Sequence, residues 1–289
     1  MICPFNTLEY ASGLSNLGTP IPHHSGKFHL IKQEIPGSNQ LFDGFAGIPY
    51  LWIENQEELR WISEDFRDLV SITLVTQPGF IPDSKLVDNQ FLKHHFVYDP
   101  AEKRTELSSR ARRKLEKCRS EAAFIILDCP IEKMKIEGFY RLLQLKKKMF
   151  SPFENFHRSH FEFMAFSEAG IFFETKNQTG TGSMACGIIY KNWLQLMHTV
   201  TTNEGLTWNS SYLLMDEILN FCDRNQLKLS TGGLPRTHSP GLETFKSRWT
   251  NKLVPVFLTK VINQPHEYQL LSTKIQKETA YFPSYRSDQ

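Results

Sequence analysis

The sequence is poor in patterns that announce a reaction outright. Its 289 residues contain no G-x-S-x-G turn, no phosphate-binding G-x-x-x-x-G-K-[ST] loop and no H-E-x-x-H helix. The commonest serine-hydrolase, nucleotide-loop and zinc-protease signatures are therefore excluded. The five cysteines, Cys3, Cys118, Cys129, Cys186 and Cys222, are odd in number, far apart and never spaced C-x-x-C. That spacing argues against a disulfide framework and predicts reduced thiols in a cytoplasmic protein. No run approaches about 18 uninterrupted apolar residues, so no transmembrane helix is expected. The opening "MICPFNTLEYASGLSNLG" lacks the basic start and apolar run of a signal peptide. With 33 Lys and Arg against 31 Asp and Glu, the formal net charge is only +2, and no overall field favours nucleic acid or membrane. The doublets His23–His24 and His94–His95 lack neighbours at metal-ligand spacing, and no metal is expected. No internal repeat or low-complexity tract is visible.

Hydrophobic residues make up 40% of the chain, enough for one large domain or two smaller ones. Residues 1–27, rich in Pro, Gly, Ser and Asn, read as an irregular arm. Strands are expected at 28–33, 50–54, 71–75 and 94–100. A helix is expected over 55–70, where Leu59, Ile62, Phe66 and Leu69 form one apolar stripe. Over 106–123, Leu107, Ala111, Leu115, Cys118 and Ala122 share one face. Arg110, Arg112, Arg113, Lys114, Lys117 and Arg119 occupy the others, which predicts an amphipathic helix with a basic exterior. There follow a strand (124–127), helices at 131–150 and 158–169, and strands at 171–176, 184–191 and 194–201. Only Asn192 and Trp193 separate the last two, a hairpin signal. A helix over 208–225, with Asn209 or Ser210 as cap, precedes a strand at 227–231, a helix at 239–249 begun by Ser239 and Pro240, and a strand at 254–260.

From residue 124 the order is strand, helix, helix, three antiparallel strands, helix, strand, helix, strand. That order resembles the GNAT acyltransferase fold, and more sharply its FemAB-like branch, which includes the CelD/BcsL-like acetyltransferases. Three stretches carry the resemblance: "SSRARRKLEKC" (108–118), "NSSYLLMDEILNFCDRNQLKLSTGG" (209–233) and "GLETFKSRWTNKLVPVFLTK" (241–260). It implies an α/β (α+β) fold with a mixed, mostly antiparallel sheet flanked by helices. The division it suggests is an N-terminal half or extension (1–100), which could be the degenerate first member of a tandem GNAT pair, and a transferase domain (101–289). Two departures stand out. The Q/R-x-x-G-x-G/A phosphate loop is replaced by "NEGLTWNSSYLL". The helical hairpin of the tRNA-dependent cell-wall peptide ligases has no room here.

The resemblance implies an acyl group moved from a thioester, acyl-CoA or acyl-carrier protein, to a small-molecule or peptide amine. The donor would lie where the strands at 194–201 and 227–231 part. Thr199, Asn209, Ser210 and Ser211 would hold it, the last three at a helix start where free N–H groups and the dipole attract phosphate. An ordinary helix cap is the alternative reading. Gly232–Gly233 permits close backbone approach or is a plain turn. Lys246, of the "FK" pair, would steady an oxyanion or is a surface lysine. His198, His238 and Glu243 are the candidates for the base that frees the attacking amine. Arg112 and Arg113 would grip an anionic part of the acceptor, or belong to a solvated face, or meet nucleic acid, for which the lack of aromatics on that helix speaks poorly. A binding protein on a decayed scaffold and an aminoacyl-tRNA-using transferase are the competing classes.

Overall fold

The structure is a computed structural model describing residues 2–127, 129, 131, 133–150, 156–235, 240–273 and 281–287, with backbone only at 133–134, 142 and 145–150. The chain forms two compact units, Met1–Lys93 with Pro255–Gln289, and His94–Val254.

In the first unit the strands are β1 (Thr19–Pro22), β2 (His29–Glu34), β3 (Phe42–Leu51), β4 (Ser71–Thr76) and the later part of β11 (Lys252–Ile262). Helix α1 (Leu8–Gly13) precedes them and α2 (Gln56–Asp65) joins β3 to β4. α2 starts where expected because the Asn55 side chain accepts the N–H groups of Glu57 and Glu58. Its stripe, Leu59, Ile62 and Phe66, is buried against Phe28, Leu30, Ile72 and Leu74. β3 is longer than the expected 50–54, and its first half was invisible. Gly44 and Gly47 break the apolar alternation, yet a Cβ at either would crowd a neighbour, Leu69 or Val75. Gly47 has φ +142°, and a Cβ there would lie 2.6 Å from that of Val75. β1, α1 and α9 (Pro265–Thr273) were likewise not foreseen.

The second unit contains β5 (Asp88–Tyr98, from its end), α3 (Ser109–Glu121), β6 (Ala122–Leu127), α4 (Lys133–Phe150) and α5 (Arg158–Phe166). Then come β7 (Gly170–Asn177), β8 (Gly180–Tyr190), β9 (Trp193–Thr201), α6 (Asn203–Thr207), α7 (Ser210–Asn225), β10 (Lys228–Ser230) and α8 (Pro240–Trp249). β8 and β9 form the expected hairpin, closed by the Tyr190–Trp193 pair, so its turn is Lys191–Asn192, with Lys191 at φ 52°. Leu214, Ile218 and Cys222 of α7 pack on Phe173, Ala185, Leu194, Leu196 and Leu229 of the sheet. Cys118 of α3 donates its S–H to the Trp208 carbonyl at 2.7 Å, pinning the turn before α7.

Both units run through one topology. β1–β2–β3 is an antiparallel meander, α2 crosses to parallel β4, and antiparallel β11 lies beyond. β7–β8–β9 is an antiparallel meander, α7 crosses to parallel β10, and antiparallel β5 lies beyond, with β6 added outside β7. The final strands are exchanged. β5 follows β4 in the chain but pairs with β10, and β11 follows α8 but pairs with β4.

Candidate functional site

β9 and β10 run parallel for only three pairs, Trp193–Lys228, Leu194–Leu229 and Gln195–Ser230. Beyond them the strands part. Thr231 and Gly232 follow β5 instead, through Thr231 N–H to Phe96 O (3.0 Å) and Phe96 N–H to Gly232 O (3.1 Å). Among the described residues, β9 from Leu196 to Thr201 pairs only with β8, and its other edge faces the gap. Its register shifts in the same stretch, with Cys186 opposite His198 and Gly187 opposite Leu196, so Met197 is a bulge. The expected V between these strands is thus present in the backbone. Thr199 lies on the open part of β9 and is exposed. It pairs with Ala185, which packs against α7, so Thr199 shares the α7 face of the sheet.

α7 begins beside this gap. Asn209 is its N-cap residue in the left-handed region (φ 60°, ψ 36°), and its side chain makes no capping bond. No acidic residue stands in the first turn. The equivalent helix of the first unit, α2, is the opposite case. Its first N–H groups are taken by Asn55, and Glu57 and Glu58 occupy its first turn. Of these two starts, that of α7 is the one suited to an anion. Ser211 is half-buried there. Ser210 is fully buried and its hydroxyl lies 2.5 Å from that of Ser183, so its side chain seats the helix on β8. Gly182 and Gly205 allow that seat, since a Cβ on Gly205 would overlap the Gly182 carbonyl. Two cations flank Tyr212 in the first turn. Lys114 lies 5.2 Å from its ring centroid, and Arg248 donates to its hydroxyl at 2.8 Å. Sequence reading missed this grouping, although Arg248 lies two residues beyond Lys246.

Lys246 closes the loop that leaves β10. Its ammonium donates to the carbonyls of Thr231 (2.6 Å), Gly232 (3.2 Å) and Gly233 (2.8 Å). Three carbonyl partners match its three N–H groups, so Lys246 fixes the Gly-Gly exit. Gly232 sits at φ +74°, the conformation that favours glycine.

The opposite sheet face carries a row of buried polar groups. Gln195 and Ser230 are neighbours at the last β9–β10 pair, and their flanking residues Leu194, Leu196 and Leu229 pack on α7. Gln195 is 3% exposed. Its Nε2 donates to Leu196 O at 2.9 Å, and its Oε1 has no hydrogen-bond partner among the described residues. His198 is buried against α5, its Nε2 3.1 Å from Nε2 of His160 and its ring 4.9 Å from Phe161. One imidazole of this pair must donate and the other accept. His95 Nδ1 lies 3.4 Å from Ser230 Oγ.

The remaining expected residues are spread out. Arg112 and Arg113 are exposed on α3. Neither forms an ion pair among the described residues, whereas Arg119 on the same helix pairs with Asp216 of α7. Glu243 is exposed on α8. His238 lies outside the described residues. None of the five cysteines forms a disulfide among the described residues, and burial pushes the Cys118 and Cys186 thiols up, so neither is a ready thiolate.

The chain shares its fold with proteins of known structure. Against FemX the TM-score is 0.67 at 11% identity, covering 92% of this chain and 94% of that one. Against L-PGS from Bacillus licheniformis it is 0.62 at 10% identity, covering 94% and 93%. Against the C-terminal domain of a putative lysylphosphatidylglycerol synthetase from Agrobacterium fabrum it is 0.57 at 12% identity, covering 92% and 91%. No protein-family model and no curated protein matches the sequence. At these identities the likeness establishes the fold, which is GNAT-like and of the FemAB-like kind.

Proposed function

We propose that this protein is an acyltransferase in which an activated acyl donor lies in the V between β9 and β10 and is attacked directly by an amine. The observation that carries the reading is the parting of the two strands after three pairs, beside a helix start free of acids. An acyl-CoA or acyl-carrier thioester would place its carbonyl against the open β9 edge past Met197. Backbone N–H groups there would hold the oxyanion as the amine nitrogen bonds to the carbonyl carbon. The donor's phosphates would meet the α7 start, with Asn209 and Ser211 beside it and Lys114 and Arg248 adding positive charge.

The amine must lose a proton as the C–N bond forms. In this reading His198 takes it, and the His160 contact orients the ring. The C–S bond then breaks and the thiolate leaves, to be protonated. Lys246 acts through Gly232–Gly233, whose carbonyls it holds, rather than on the oxyanion itself. The buried thiols speak for direct attack instead of an acyl-cysteine. Arg112 and Arg113 are available to an anionic part of the acceptor. No helix among the described residues is long and apolar enough to cross a membrane. The reduced cysteines suit a cytoplasmic setting.

A second reading, an aminoacyl ester on tRNA as donor, is favoured by Arg112 and Arg113, exposed and without an ion pair among the described residues. Calorimetric titration with acetyl-CoA, a longer acyl-CoA and an acyl-carrier thioester tests the first. Binding that Ser211→Glu removes supports it, and no binding of any thioester contradicts it. Affinity for tRNA that falls steeply with salt would favour the second reading.

A further inference from the structure

We propose that His23, His24 and Asp65 form a binding site for one zinc-type divalent ion, in the first unit and independent of the transfer reading. His23 and His24 occupy the turn between β1 and β2. Asp65 ends α2, 41 residues from His24 in sequence. The turn is shaped to bring them together: Gly26 N–H bonds to His23 O at 2.8 Å, and His24 N–H bonds to Asp65 Oδ2 at 2.9 Å. The two imidazoles and the carboxylate offer one ligand atom each, all within 4.8 Å of one another. Two neutral imidazoles with one carboxylate is the donor set that suits zinc, with a fourth position left for water.

A second observation separates this cluster from a surface ion pair. The His23 side chain is 0% exposed, and its Nε2 lies 3.1 Å from Asp65 Oδ2 without a hydrogen bond to it. Ser25 serves the other nitrogen. Its Oγ lies 2.7 Å from Nδ1 and its backbone N–H 3.1 Å away. Without an ion, Nδ1 accepts from the Ser25 N–H and Nε2 carries the proton. With an ion, the proton moves to Nδ1 and is accepted by Ser25 Oγ, the Ser25 N–H gives up its bond to Nδ1, and Nε2 binds the metal. His24 Nδ1 now contacts Asp65 directly. On binding, its proton moves to the solvent-facing Nε2 and Nδ1 becomes a ligand. Neither ring gains or loses a net proton. Asp68 lines the same surface depression and stands ready for the bound water. The ion would clamp the β1–β2 turn to the end of α2.

The test is competitive titration of the tag-free protein with zinc against a chromophoric chelator, with cobalt(II) absorption as a second readout. The proposal predicts one ion per chain with a Kd below about 10 μM and tetrahedral cobalt bands. It also predicts affinity lowered at least ~10-fold in both His24→Ala and Asp65→Asn. Both positions are exposed, and thermal melting without metal checks that the variants fold. Zinc should raise the melting temperature of the wild type and not of the variants. Zinc weaker than about 100 μM, or equal affinity in wild type and His24→Ala, would overturn the site.

Discussion

Lys246 shows how much of a side chain's setting lies beyond its residue type. A cation near the parting strands was legible in "FK"; its three carbonyl partners were not, since they depend on where the chain turns after β10. Lys246→Ala should destabilise the protein by about 1.5–3 kcal/mol in urea unfolding, as expected for lost hydrogen bonds to a charged group. Unchanged stability with lost activity would instead mark an oxyanion role. Gln195 had no signal in the sequence, because an alternating strand gives no hint that a polar side chain on its covered face has an oxygen to spare. Gln195→Leu exchanges that orphan for apolar bulk and should shift stability by no more than about 1 kcal/mol. Turnover should fall at least ~10-fold if Oε1 receives a substrate N–H; normal turnover in the variant would remove Gln195 from the site. Asp99 is held by Lys228 (3.1 Å) and Lys252 (3.0 Å). Burial alone would raise its carboxyl, but hydrogen bonds from Lys252, the Ala101 N–H and Lys228 hold it below the ordinary value. Its folded pKa lies under the unfolded one. The stability it contributes is therefore complete above about pH 4 and lost as pH falls through the folded value. Asp99→Asn should be less stable at pH 7 by about 1–2 kcal/mol and show a shallower loss in acid. Equal acid slopes would contradict this.

At the scale of elements, periodicity found most of the second unit. α3, α5, α7 and the β7–β9 meander lie within a few residues of expectation, because their apolar stripes repeat cleanly and face one core. It failed where backbone contact replaces side-chain pattern, as in β3, and where a short strand is rich in proline, as in β1. The contrast between α2 and α7 was available in sequence, as acids at one start and none at the other, but has meaning only once the two helices occupy equivalent places. The seat of α7 rests on two glycines meeting face to face. Gly205→Ala should lower stability by about 1–3 kcal/mol, as overpacking does. It should also weaken donor binding, since the helix start must shift. A variant as stable as the wild type in denaturant would show that the seat yields.

At the scale of the whole chain, the resemblance reached the fold. The exchange of final strands could not be read, because strand patterns do not reveal which neighbour a strand will choose. Ending the chain at Val254 removes the pairing of Leu258–Ile262 with Ser71–Val75. It also removes the Arg286–Asp43 ion pair, with contacts of 2.6 and 2.7 Å. Residues 1–93 of such a chain should become protease-sensitive; resistance equal to the full chain would show that β11 is dispensable there. The central claim, an acyl donor in the V of the second unit, is tested most directly by hydrogen–deuterium exchange of the amides at 196–201, 209–213 and 231–235. The measurement compares the free protein with protein saturated by acyl-CoA, acyl-carrier thioester or aminoacyl-tRNA. The account predicts that one of these donors slows exchange at the open edge of β9 and at the start of α7. A donor that binds with protection confined to other segments, or the absence of protection with all three, would contradict it.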